Sequence, residues 1–153
     1  MLGEGRYASG EELVMKLREA PPRFATGAFI LHTGLQKWKG DDATAEAMHG
    51  MACGVYPVFK KLTPQKFLRL LACGEITTGS LLLAPFVPTA VAGAALTGFS
   101  GALLGLYARL PGMRKPGTVF PTQEGTVLAK DSWMLGIGLG LLADAASDHC
   151  RRR

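Results

Sequence analysis

Glu75 is the residue best placed to do chemistry in this chain. It stands at the edge of an uncharged run, Ile76 to Ala108, which Arg109 closes at the other end. An ionised carboxylate beside hydrocarbon costs several kcal/mol, so Glu75 must be neutral, paired, or turned toward a wet cavity. Lys37, Lys130 and His32 are the partners on offer, with Asp131 next to Lys130. One reading is a polar pocket that binds a quinone or a lipid headgroup, or passes a proton. The other is an internal salt bridge that fixes helix packing. His32 by itself suits a hydrogen bond to a neighbouring helix, and His49 suits a solvated position in a loop helix. His32, His49 and Cys53 show no recognised ligand spacing, so no metal is expected. Ser-His-Asp, P-loop and dinucleotide patterns are absent.

These residues depend on the elements that carry them. A helix rises about 1.5 Å per residue, so Ile76 to Ala108 would span roughly 50 Å against a hydrocarbon core of roughly 30 Å. That is too long for one crossing and about right for most of two. Pro85-Phe86-Val87-Pro88 marks the fold-back, because two prolines three apart break the helical ladder. The soluble alternative, a buried core hairpin, is weaker: so long an uncharged run is rare in a small soluble domain.

The spacing predicts an all-α fold: a four-helix transmembrane bundle with a short amphipathic N-terminal helix. Ser9-Gly10-Glu11-Glu12 is a capping box ahead of an interfacial helix, Gly10 to Glu19, which Ala20-Pro21-Pro22 stops. Helix 1 covers Phe24 to Gln36, with Arg23 and Lys37 snorkelling at its ends and Trp38 at the interface. Asp42 or Thr44 caps a short helix through Cys53. Thr63 and Pro64 open helix 2, which runs to Ala84. Helix 3 follows from Thr89 to Leu110, with Gly101 and Gly105 for close packing in the bundle. After a turn-rich loop from Pro111 to Gly125, helix 4 runs from Thr126 to Ala146, with Gly136 and Gly140 in the same role. Asp131 and Asp144 must then sit at the interface or face the bundle. The organisation is an N-terminal segment 1–21, a bundle 22–146 and a basic tail 147–153. In this topology His32, Lys37, Glu75, Arg109, Lys130 and Asp131 lie toward one leaflet, His32 about 7 Å deeper than Lys37 and Glu75 roughly 9 Å beyond Arg69.

Composition supports a bilayer as solvent. Of 153 residues, 48% are apolar and 19% charged, and the 20 glycines suit membrane helices that approach closely. The net charge of +5 gathers at segment ends, as anionic headgroups favour. No basic face with interleaved aromatics appears, so nucleic acid is not an expected partner. Three scattered cysteines, Cys53, Cys73 and Cys150, suggest free thiols. The first twenty residues lack an apolar stretch, so no signal peptide is expected. Basic residues are nearly balanced between the two sides. The dense Arg151-Arg152-Arg153 tail favours a multi-pass plasma-membrane protein with both termini cytoplasmic.

At this level the chain resembles a known family. Thr33-Gly34-Leu35-Gln36-Lys37 is similar to the G-x-x-K end of the first helix in DoxX-type membrane proteins. Glu75 to Leu83 resembles their glutamate-and-glycine second helix. Pro111-Gly112-Met113-Arg114-Lys115, Ala129-Lys130-Asp131 and Leu135 to Leu139 look like actinobacterial members. The resemblance spans about Arg23 to Ala146. It implies a four-helix membrane bundle, a subunit of a redox or oxidative-stress complex, and Lys37, Glu75, Lys130 and Asp131 as motif positions. A quinone is the ligand it suggests, with no tightly bound cofactor. Expected partners are the bilayer and other membrane or soluble redox proteins. This chain has no cysteine pair for thiol redox chemistry. A non-enzymatic scaffold, docking a soluble partner through Lys39 to Thr63 and the tails, would carry the same features.

Overall fold

The computed structural model describes residues 15–151, which are all-α, with no strand among them. Four long helices form the body: α1 (Ala20–Trp38), α3 (Pro64–Leu83), α4 (Thr89–Arg109) and α6 (Asp131–Arg151). Between α1 and α3 lies α2 (Asp42–Val55), followed by a 3-10 turn at Pro57–Lys61. The single-turn α5 (Thr126–Ala129) precedes α6. Ile30, Leu82, Ala92, Leu96, Met134 and Leu141 form one apolar core, to which α1, α3, α4 and α6 all contribute.

Local chemistry explains most boundaries. Pro21 and Pro22 occupy the first turn of α1, where a missing N–H costs nothing. The Asp41 side chain, and not Asp42 or Thr44, caps α2 by accepting from the Thr44 amide at 2.9 Å, a bond that lowers the Asp41 pKa. Thr63 caps α3 through the Lys66 amide, and Pro64 follows it. The prolines at 85 and 88 separate α3 from α4. In the loop before α5, Gly112 (φ +85°) and Gly117 (φ +73°) take the left-handed backbone that other residues avoid.

Several expectations need correction. The first half of the expected interfacial helix Gly10 to Glu19 lies outside the described residues, and its described half, Met15 to Glu19, is irregular and then a turn. The last helix does not stop near Ala146. It breaks at Lys130, restarts at Asp131 and runs to Arg151, so Asp148, His149 and Cys150 are helical. The close helix contacts do not use Gly101, Gly136 or Gly140, each of which faces open space. Instead Gly93 and Gly138 bring α4 and α6 together: a Cβ on Gly93 would lie 3.1 Å from the Gly138 carbonyl. Gly27, Gly34 and Gly79 do the same for α1 and α3.

Arg23 does not snorkel. It is completely buried at the start of α1. Its guanidinium donates to the carbonyls of Leu81, Leu82, Ala84 and Val87 at 3.0–3.2 Å, closing the end of α3 and the turn after it.

Two helices are long and apolar enough to cross a membrane: Thr89–Arg109, and Thr126–Arg151 taken through its break. Only 22% of each apolar window is buried in the fold, so these side chains mostly face outward, unlike those of a soluble core helix. By the same measure α1 and α3 are less apolar; they carry Arg23 and Lys37, and Lys66, Arg69 and Glu75.

Candidate functional site

Helix α1 runs toward its Lys37 end and α3 starts at that end, so Lys37 and Glu75 meet across the α1–α3 seam. Gly34 makes the approach close: a Cβ there would lie 2.9 Å from the Glu75 Cβ. The Lys37 ammonium contacts both Glu75 oxygens, at 2.9 and 3.0 Å. Glu75 is only 5% exposed, and Lys37 reaches it from the half-buried rim.

This pair forms part of the wall of a cavity of about 500 Å3. Lys130 and Asp131 stand in the same wall, carried there by the break between α5 and α6. Asp131 is 2% exposed, and its Oδ1 is buried without a hydrogen-bond partner among the described residues. The Lys130 ammonium sits 4.9 Å from the centre of the Phe29 ring, a cation–π contact with α1. The remaining wall is mostly apolar, with Met48 and Met51 from α2 and Leu103 and Leu106 from α4. A polar end set in apolar walls is the usual form of a site for a small amphiphile.

The structure therefore brings Lys37, Glu75, Lys130 and Asp131 together and leaves His32 out. His32 is exposed and does not line the cavity. Five residues turn a helix by about 500°, or 140° net, so His32 cannot share the Lys37 face. His49 is also not a solvated side chain. It is half-buried, its Nε2 donates to the Phe59 carbonyl at 2.9 Å, and its ring packs on Phe67. The sequence reading missed the contribution of α2. Its signal was the pair Met48 and Met51, three apart on one helix face.

The ion pair makes a measurable demand on the fold. Lys37→Met should cost about 1–3 kcal/mol of stability, because Glu75 keeps its burial and loses its cation. The double variant Lys37→Met/Glu75→Leu should recover most of that loss. Unfolding of the four corners of this cycle in detergent measures the coupling, and a single variant as stable as wild type would contradict it.

A second group of charges lies at the far end of the bundle. Glu19, Asp144 and Asp148 bring carboxylate oxygens within 4.8 Å of one another. Arg18 binds Asp144 at 3.0 Å, and Lys16 and Arg18 both reach Asp148. With both aspartates already neutralised, the cluster acts as a clasp between the segment before α1 and the last turns of α6.

No family model matches the chain, and no curated protein or solved structure matches it.

Proposed function

We propose that the chain is a multi-pass membrane protein that binds a quinone or lipid in this cavity, serving a redox or oxidative-stress complex as a DoxX-like subunit. The reading rests on one feature of the cavity: a buried Lys37–Glu75 pair, with Lys130 and the buried Asp131, in walls that are otherwise mostly apolar. Buried charges are costly, and a wall that keeps them beside apolar space suits a ligand with a polar head and an apolar body.

The outer surface supports the bilayer part of the reading. Phe24, Phe29 and Leu35 on α1, Leu70 on α3, Val91 on α4 and Leu139 on α6 are exposed. Meanwhile Arg23 and Glu75, two of the five charges on α1 and α3, are turned inward, and Lys66 and Arg69 lie in the first two turns of α3. A helix can look too polar on average and still offer lipid an apolar face. Four spans, α1, α3, α4 and α6, then place both ends of the bundle on one side, taken as cytoplasmic. The resemblance to DoxX-type proteins at Gly34 to Lys37, Glu75 to Leu83 and Ala129 to Asp131 supports the family part.

Native mass spectrometry of the protein, extracted gently from its own membranes, tests this. The expected result is a retained mass matching a quinone or lipid, lost in Glu75→Gln while helix content stays at the wild-type level. A co-purifying soluble protein with no small molecule would favour the scaffold. A bare bundle would remove the case for the cavity.

A further inference from the structure

The loop after α4 is built more firmly than its glycines and prolines suggest. Lys115-Pro116-Gly117-Thr118 has the form of a type II turn: proline presets the second position, and Gly117 takes the positive φ (+73°) that the third requires. The Thr118 amide closes the turn on the Lys115 carbonyl at 3.1 Å. The Lys115 amide donates to the Phe120 carbonyl at 2.9 Å, and Arg114 pairs with Pro121, so 114–121 is a small hairpin.

This hairpin presents apolar side chains. Val119 is 75% exposed and Phe120 67%, and an exposed apolar pair rimmed by polar residues marks a contact surface. The hairpin is tied back to the helix before it. The Tyr107 hydroxyl, in the last turn of α4, donates to the Val119 carbonyl at 2.6 Å, and the Arg114 guanidinium donates to the Ala108 carbonyl at 2.7 Å. The apolar pair is thereby held at the depth where α4 ends. Trp38 at the end of α1 and Trp133 in the first turn of α6 are exposed at the same end of the bundle, as rings at a membrane surface are.

The charges around the pair indicate the partner. No acid occurs from Ile76 to Gln123, a stretch that holds Arg109, Arg114 and Lys115. All three cations are exposed, and among the described residues none forms an ion pair. The next carboxylate, Glu124, lines the cavity of the candidate site instead. Arg114 and Lys115 line a separate cleft of about 520 Å3 beneath the turn, with Val119 in the same wall. Cations beside an apolar pair match an anionic phospholipid surface, which offers phosphates to the one and the upper acyl carbons to the other. An acidic protein would match the cations alone, and the hairpin is bonded back to an apolar helix end rather than held away from it.

Building on the bilayer reading above, we infer that hairpin 114–121 is a membrane anchor: Val119 and Phe120 enter the headgroup boundary, and Arg109, Arg114 and Lys115 bind anionic phospholipid there.

Fluorescence quenching of the full chain in vesicles tests the inference. Cys53→Ala, Cys73→Ala and Cys150→Ala clear the background, and Phe120→Cys carries an environment-sensitive NBD dye. The quenchers are nitroxide lipids labelled at the headgroup or deep in the acyl chain. In vesicles of phosphatidylcholine with phosphatidylglycerol, the dye at position 120 should be quenched best from the headgroup. Arg114→Gln and Lys115→Gln should each lower the ratio of inserted to wet hairpin roughly fivefold. Vesicles of phosphatidylcholine alone should lower it further. Leu139→Cys, on the exposed face of α6, carries the dye as a control for the bilayer reading and should be quenched best from the deep position. A deep dye at 139 with a wet dye at 120 would overturn the anchor and leave the bilayer reading standing. Equal insertion with and without phosphatidylglycerol, unchanged by the glutamine variants, would overturn the anionic-lipid assignment. Wet dyes at both positions would overturn the bilayer reading and the anchor together.

Discussion

Arg23→Ala should cost about 3–5 kcal/mol of stability, the range found when one partner of a buried ionic arrangement is removed. The reason lies in the two prolines after α3. The Leu81 carbonyl would normally accept from the amide four residues on, but that residue is Pro85, which has no N–H. Pro88 stands in the same relation to Ala84. Arg23 supplies the missing donors, with Nη2 on Leu81 and Ala84, Nε on Leu82 and Nη1 on Val87. Alanine would orphan the Leu81, Leu82 and Val87 carbonyls, while Ala84 keeps the Val87 amide at 3.2 Å, and would leave Glu19, itself 3% exposed and 3.9 Å from the guanidinium, without that cation. Arg23→Lys should recover only part of the loss, since an ammonium has three donors on one atom and no planar fork. Unfolding in detergent checks both variants. A loss under about 1 kcal/mol in Arg23→Ala would show that water or lipid headgroups replace the guanidinium.

Gly79→Ala should be nearly as damaging. A Cβ at Gly79 would lie 2.7 Å from the Leu31 amide nitrogen, 2.9 Å from its Cα and 2.9 Å from the Gly27 carbonyl, all backbone atoms that no rotamer change can move. The helices must separate, which puts the cost at the upper end of about 1–3 kcal/mol for overpacking, and Gly79→Val should exceed it. Gly101→Ala and Gly136→Ala are the controls. Both positions face open space, and a helical alanine in place of glycine should be neutral or slightly stabilising. If Gly101→Ala destabilised as strongly as Gly79→Ala, the packing of the long helices would need to be redrawn.

The elements were largely legible because their punctuation is local. Thr63-Pro64 opened α3 as expected, and Pro85 to Pro88 separated α3 from α4. The pairing of Lys37 with Glu75 followed from antiparallel connectivity, which places the end of α1 beside the early turns of α3. What local pattern cannot give is rotation about a helix axis. His32 and Lys37 share a helix and lie toward the same end of it, but not on one face. Of the spaced pair Gly101 and Gly105, Gly105 packs closely on Tyr56 while Gly101 faces open space, and it is Gly93 that α4 turns toward α6. Arg23 was misread for a related reason: at a helix end it looks like a snorkelling cation. The signal was present, since the expected topology already set the start of α1 against a proline-terminated helix end that lacked donors.

The Arg23 contacts also set a schedule for folding. They join residues 58 to 64 positions apart in the chain. At about 5–20 residues per second, a ribosome takes roughly 3–13 seconds to deliver Val87 after Arg23. Through that interval the new α1 holds a cation without acceptors and glycines without a facing helix. The first half of the bundle therefore cannot be completed as it emerges, and α1 must be kept in a waiting state until the two prolines have been made.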